Sequence, residues 1–154
     1  MAHITTEIEI SAAPGDVRDK FLDFSKIPTY SPRGFFKSLG PAIKGKPLEV
    51  GDKMHNVLDG AVIEPVVIEN SPTCFTWRGS MFGLKADHIF RFEPSTKTQG
   101  GTRFVHEETF SGPVAFLMGE GFAARSVGLK EKTVKGFETY NKDLKTWCET
   151  EVPL

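Results

Sequence analysis

The sequence predicts an α+β fold: a seven-stranded antiparallel sheet wrapped around a long C-terminal helix, in the order β-α-α-β6-α. Two patterns predict it. From Gly34 to Phe110, short β-rich runs alternate with Gly, Pro and Asn punctuation, as successive hairpins do. Over 124–150, Val127, Glu131, Val134, Phe137, Asn141, Leu144 and Cys148 recur at three-then-four spacing, which is one stripe of one helix. A sheet with one apolar face and a helix with one apolar stripe must cover each other.

Each element has its own signal. In the first segment Ile4, Thr6, Ile8 and Ile10 alternate with Thr5, Glu7 and Glu9, the period of a half-buried strand. Ser11 to Pro14 break it. Val17, Phe21 and Phe24 then recur at i, i+4 and i+7 after Pro14-Gly15-Asp16, marking a short helix with an acidic first turn. A second helical turn holds Ile27 and Tyr30 and stops before Ser31-Pro32, because the residue before proline is biased out of the helical region. Strands are expected at 34–39, 51–58, 62–69, 74–82, 85–92 and 102–110, with the clearest turn at Lys97-Thr98-Gln99-Gly100-Gly101. Pro65 places its run at a sheet edge or a bulge. The 124–150 helix would be about 40 Å long at ~1.5 Å per residue.

Composition bounds the rest. The 154 residues carry 19 Lys+Arg against 20 Asp+Glu, for a net charge of −1, so no basic footprint marks a nucleic-acid partner. The length suffices for one domain with a core that needs no metal or disulfide. No run approaches the ~18 apolar residues of a membrane span, and Met1 to Glu7 lack the charged and apolar regions of a signal peptide. These features predict a cytoplasmic protein that does not insert into membranes, with Cys74 and Cys148 as reduced thiols. A monomer or weak homodimer without a cofactor is expected.

In this order the motifs resemble the SRPBCC superfamily (START, birch-pollen-allergen and polyketide-cyclase-like proteins). They are Ile8-Glu9-Ile10-Ser11-Ala12-Ala13-Pro14 leading into Val17, Val50-Gly51-Asp52, Phe75-Thr76-Trp77, and His88-Ile89-Phe90-Arg91-Phe92-Glu93-Pro94. Gly100-Gly101-Thr102-Arg103, His106-Glu107-Glu108-Thr109-Phe110-Ser111-Gly112 and the final helix complete the set. The resemblance spans nearly the whole chain and implies the helix-grip fold and an apolar small-molecule ligand: polyketide-like, phenolic or lipid. One element departs. Members commonly carry a Trp-x-Pro-like element after the second short helix, where this chain has Tyr30-Ser31-Pro32-Arg33.

Strand parity assigns Thr102, Phe104, His106, Glu108 and Phe110 to one face, and His88 to a face shared with Phe90 and Phe92. Phe75, Trp77, Phe90, Phe92, Phe104 and Phe110, faced by Phe137 and Leu144, either fill a core or line an apolar cavity. His106 and Glu108 would supply proton transfers there and His88 would polarise a ligand oxygen, as in a polyketide cyclase, dehydratase or lyase. The alternative is that the three form a structural network. Tyr30 and Tyr140 flank the same space. Asn141, polar within the apolar stripe, either orients a ligand or ties helix to sheet. The direction of His55 is open. A metal site would require His88, His106 and Glu108 to converge, and none is assigned. Gly119-Glu120-Gly121-Phe122-Ala123-Ala124 matches a loose dinucleotide pattern but lies in no βαβ unit. A solidly packed interior would favour a third class, a co-chaperone-like interaction module with an exposed apolar patch.

Overall fold

Alternating isoleucines form the first strand, β1 (Ala2–Ile10), in a computed structural model that describes residues 2–81, 83–113, 115 and 128–150. Pro14 sits in the first turn of α1 (Pro14–Leu22), where its missing N–H costs no hydrogen bond. A 3-10 turn at Phe24–Lys26 leads into the single turn of α2 (Ile27–Tyr30). Then come β2 (Phe36–Ser38), β3 (Asn56–Leu58), β4 (Ala61–Ile63), β5 (Val66–Asn70), β6 (Cys74–Met81), β7 (Leu84–Pro94) and β8 (Thr102–Ser111). The last described element is α3 (Leu129–Glu149).

The fold class is the α+β arrangement expected, but the strand count differs. The described residues form eight strands, in a five-stranded sheet of order β1-β8-β7-β6-β5 and a three-stranded sheet β2-β3-β4. Every pairing is antiparallel. The expected 62–69 strand divides at Glu64-Pro65, because Pro65 has no N–H to continue a ladder. Its carbonyl instead accepts from the Met54 N–H at 2.8 Å. The expected 51–58 strand shortens to β3, preceded by single bridges that pair Met54 with Pro41 and Lys53 with Val66.

The 21 residues of α3 extend about 31 Å and pack on β1, β8, α1 and α2. Of the stripe read from sequence, Phe137, Asn141 and Leu144 are buried, while Glu131 faces solvent and Val127 lies outside the described residues. Tyr140 and Trp147 are also buried, so the apolar face is broader than the three-four spacing indicated. Gly136 lets the helix approach Phe35, the residue just before β2: a Cβ there would lie 2.6 Å from its ring.

At the centre stands Phe21 of α1. Its ring lies 4.5 Å from Phe90, 5.5 Å from Phe92 and 5.7 Å from Phe75. Phe36 of β2 sits against Trp77, Phe90 and Tyr140 at 5.0 to 6.0 Å. Phe75, Phe90, Phe92, Phe104, Phe137 and Leu144 are 0% exposed and Trp77 is 1% exposed. With Phe21 and Phe36 these side chains belong to the buried apolar clusters between the sheet and the helices.

The hairpin tips beyond this core meet at two glycines. Gly112 has φ +100°, and a Cβ there would fall 2.1 Å from the Gly83 carbonyl oxygen. Gly112→Ala should therefore cost more than about 1 kcal/mol, read as a lower urea midpoint at unchanged slope. An unchanged midpoint would show that the β7 and β8 ends need no such approach.

Candidate functional site

Register builds the site. One row across the inner face is Ile4, Glu108, His88 and Trp77, and the adjacent inner row is Thr6, His106, Phe90 and Phe75. His88 and His106 are thus diagonal neighbours on paired strands, within reach of one another. Their Nε2 atoms are 2.6 Å apart. His106 Nδ1 lies 2.8 Å from Asn141 Oδ1 on α3, and Asn141 Nδ2 donates to Thr6 Oγ1 at 2.9 Å. The Thr6 hydroxyl in turn donates to the His106 carbonyl at 3.0 Å. On the opposite edge of the His88 ring, Nδ1 lies 3.4 Å from Glu108 Oε2.

The result is a row of polar groups through an aromatic block. His106 stacks on Phe137 with centroids 3.9 Å apart and on Phe36 at 5.7 Å, while His88 stacks on Phe90 at 4.8 Å. His88, His106 and Asn141 are closed to solvent; the Glu108 side chain keeps 15% exposure. Glu108 is therefore the end of the row that meets the outside. It contacts His88, whereas the sequence grouped it with His106. Around this end stand Phe110, Leu84, Ala86 and Val134, which cluster with Ile4, Ala115 and Phe137. A cleft of about 530 Å³, lined by Ser80, Gly83, Leu84, Lys85, Ser111, Gly112 and Pro113, opens at the adjoining hairpin tips.

The other candidates fall elsewhere. Asn141 ties helix to sheet, with both ends of its amide engaged. Tyr30 and Tyr140 share a hydrogen bond of 3.0 Å between their hydroxyls, and Tyr30 stacks on Trp147 at 4.5 Å. Burial raises both phenols, so they remain protonated. His55 points outward, half exposed and 3.7 Å from Glu64. Burial pushes the Cys148 thiol up to about 11 and raises Cys74 as well, so neither supplies a thiolate nucleophile at neutral pH. His88, His106 and Glu108 do come together, but in a line: carboxylate and second imidazole meet opposite edges of the His88 ring. Among the described residues no group of three His, Cys, Asp or Glu side chains is placed to hold a metal ion.

Sequence reasoning missed Thr6, Phe21 and Phe36. Thr6 carried a usable signal, because parity put a hydroxyl on the inner face between isoleucines, where a polar group must be paired.

The profile of the family described as polyketide cyclase / dehydrase and lipid transport matches residues 1–141. The chain belongs to this family. No curated protein matches the chain in sequence. Among solved structures, norcoclaurine synthase from Thalictrum flavum in complex with dopamine and hydroxybenzaldehyde superposes with a TM-score of 0.68 at 11% identity, covering 99% of this chain and 88% of that one. A START superfamily protein from Mycobacterium smegmatis gives 0.67 at 14% identity, covering 97% and 98%. The ZhuI aromatase/cyclase from Streptomyces sp. R1128 gives 0.65 at 12% identity, covering 96% and 93%. These likenesses establish the helix-grip fold for this family member. No described helix is long and apolar enough to cross a membrane.

Electrostatics gives the buried end of the row a pH signature. Burial first, then repulsion from His88, holds the His106 imidazole well below its ordinary range. The unfolded chain therefore binds a proton near pH ~6.5 that the native state refuses. This contribution to stability is fully present above about pH 6.5 and is lost as pH falls below it, by up to about 1.4 kcal/mol per pH unit. The urea midpoint should drop between about pH 7.5 and 5.5, and the drop should shrink in His106→Gln. An equal drop in that variant would mean that His106 accepts its proton in place.

Proposed function

We infer that this member of the polyketide cyclase / dehydrase and lipid transport family binds an apolar or aromatic small molecule at the Glu108 end of the sheet-helix interface. One observation carries it: a partly open carboxylate stands at the outer end of the buried polar row, and half-buried Leu84, Ala86 and Val134 belong to the apolar cluster at the same end of the sheet. Apolar walls with a few placed polar groups are the usual make-up of a small-molecule site. Of the residues taken from sequence as ligand contacts, Phe110 keeps that role here. Phe75, Trp77, Phe90, Phe92, Phe104, Phe137 and Leu144 support the site from behind.

A second function is favoured by the contact between Glu108 and His88. A carboxyl backed by an imidazole in apolar surroundings is suited to general acid-base chemistry, so a cyclase, dehydratase or lyase activity would use Glu108 at the ligand with His88 behind it. The interaction-module alternative would draw on the exposed Ile43, Val50, Val62 and Val66, and it leaves the buried histidine row without a role.

The deciding experiment is native mass spectrometry of protein purified from its source, followed by extraction of the bound compound. Titration with naphthol as an apolar phenolic probe accompanies it, in wild type and in Glu108→Leu. Co-purification of an apolar compound, and probe binding that weakens in Glu108→Leu, are expected. Binding unaffected by Glu108→Leu would move the site elsewhere, and no binding of either kind would overturn the inference.

A further inference from the structure

We propose that Asn141 and Thr6 are positioning residues that set the direction of the hydrogen bonds through both histidines, so that His88 and Glu108 share a proton and the carboxyl bordering the ligand site belongs to a pair with no net charge. The consequence for the ligand rests on the binding site placed at Glu108; the proton arrangement itself does not.

The Thr6 hydroxyl donates to the His106 carbonyl, so its oxygen is left to accept, and the group 2.9 Å away must be the Asn141 NH2. That orients the amide and turns Oδ1 toward His106 Nδ1. An amide oxygen only accepts, so His106 carries its hydrogen on Nδ1. His106 stays neutral in this buried position, which leaves Nε2 as a bare acceptor. The 2.6 Å contact between the two rings is then a bond from His88 Nε2–H to His106 Nε2. A neutral His88 has no hydrogen left for Nδ1, and Nδ1 faces Glu108 Oε2 at 3.4 Å. Two lone pairs would oppose each other there. One proton in that gap, on the carboxyl or on His88 Nδ1, removes the conflict.

The three groups Glu108, His88 and His106 therefore hold three protons in all. The titratable groups that face the two imidazoles are Glu108 on β8 and Tyr140 on α3, the latter 5.7 Å from His106 between centroids and held protonated. Phe36, Trp77, Phe90, Phe104 and Phe137 supply the rest of the surroundings. Without Asn141 the row can reverse: His106 Nε2–H donates to His88 Nε2, and neutral His88 donates from Nδ1 to a Glu108 carboxylate. Two protons then satisfy every contact. In the native row the Glu108–His88 pair carries no net charge, which suits an uncharged apolar ligand; in the reversed row the carboxylate's charge is left uncompensated.

The test is nitrogen-15 NMR of the imidazoles in the ligand-free protein, with the Glu108 carboxyl followed by carbon-13. In wild type, His106 should show a protonated Nδ1 and a bare Nε2, and His88 a protonated Nε2. Either a protonated Glu108 carboxyl or a doubly protonated His88 should accompany them. In Asn141→Leu the His106 proton should move to Nε2, and both the carboxyl proton and any second His88 proton should disappear. Asn141→Asp, which still accepts from Nδ1–H, should restore the native tautomer. A wild-type His106 protonated at Nε2 would overturn the proposal without any variant, and so would Asn141→Leu with native tautomers. Native tautomers together with no ligand binding would leave the proton arrangement standing and remove the binding site instead.

Discussion

Phe21→Ala should lower the unfolding free energy by about 3–5 kcal/mol, the range for truncating a fully buried phenylalanine whose neighbours cannot close the gap. Phe21 is 0% exposed and its ring contacts Phe24, Phe75, Phe90, Phe92, Phe104 and Tyr140. These neighbours come from the sheet, from α3 and from α1's own C-terminal side, so no single element can move inward to fill the space. Domains are stable by only about 5–15 kcal/mol, so the loss should be plain in a urea titration at unchanged slope. Phe21→Leu, which keeps most of the volume, should recover much of it. The same measurement decides how the aromatic block is built. A loss below about 1 kcal/mol would mean that Phe21 is not packed on all sides and that the phenylalanines enclose free space.

That distinction marks where sequence stopped being legible. Period-two alternation placed Phe75, Trp77, Phe90, Phe92, Phe104, His106 and Glu108 on one face, and the register confirms each of them there. Alternation carries no information on what lies opposite a face. Phe21 and Phe36 project into that space from α1 and β2, elements whose packing depends on loop geometry rather than on periodicity. The pairing of Glu108 with His88 rather than with His106 was hidden for a related reason. Residues i and i+2 of one strand share a face, but the partner directly opposite is set by register, and register here depends on the Lys97–Gly101 turn. In that turn Glu9 of β1 binds Ser95 and accepts from Thr98 Oγ1 at 3.0 Å. Pro65 places its run at a sheet edge or a bulge, and β5 is the edge strand of the five-stranded sheet, with a register shift between Val67 and Glu69; that the run also divides between two sheets depends on the Met54 N–H taking the Pro65 carbonyl.

Glu108→Gln and Glu108→Leu should separate a carrier from a catalyst, because the two substitutions remove different properties of one side chain. Gln keeps the size and can still donate from its amide to a ligand oxygen, but it cannot take or give a proton. Leu keeps the volume and removes both abilities. If the protein holds its ligand without converting it, Glu108→Gln should bind the extracted ligand nearly as wild type does. Glu108→Leu should bind it about 10-fold to 150-fold more weakly, the loss of one partly buried hydrogen bond to a charged or shared-proton group at about 1.5–3 kcal/mol. If the protein converts the ligand, Glu108→Gln should lower turnover by ~10²–10⁴ while affinity holds, as expected when a positioned acid or base is removed. His106→Ala should then also slow conversion, although its ring is sealed from the ligand, because His88 would lose the acceptor that fixes its proton on Nε2. Wild-type affinity in both Glu108 variants with unchanged conversion would take Glu108 out of the site and leave the carboxylate as a structural partner of His88.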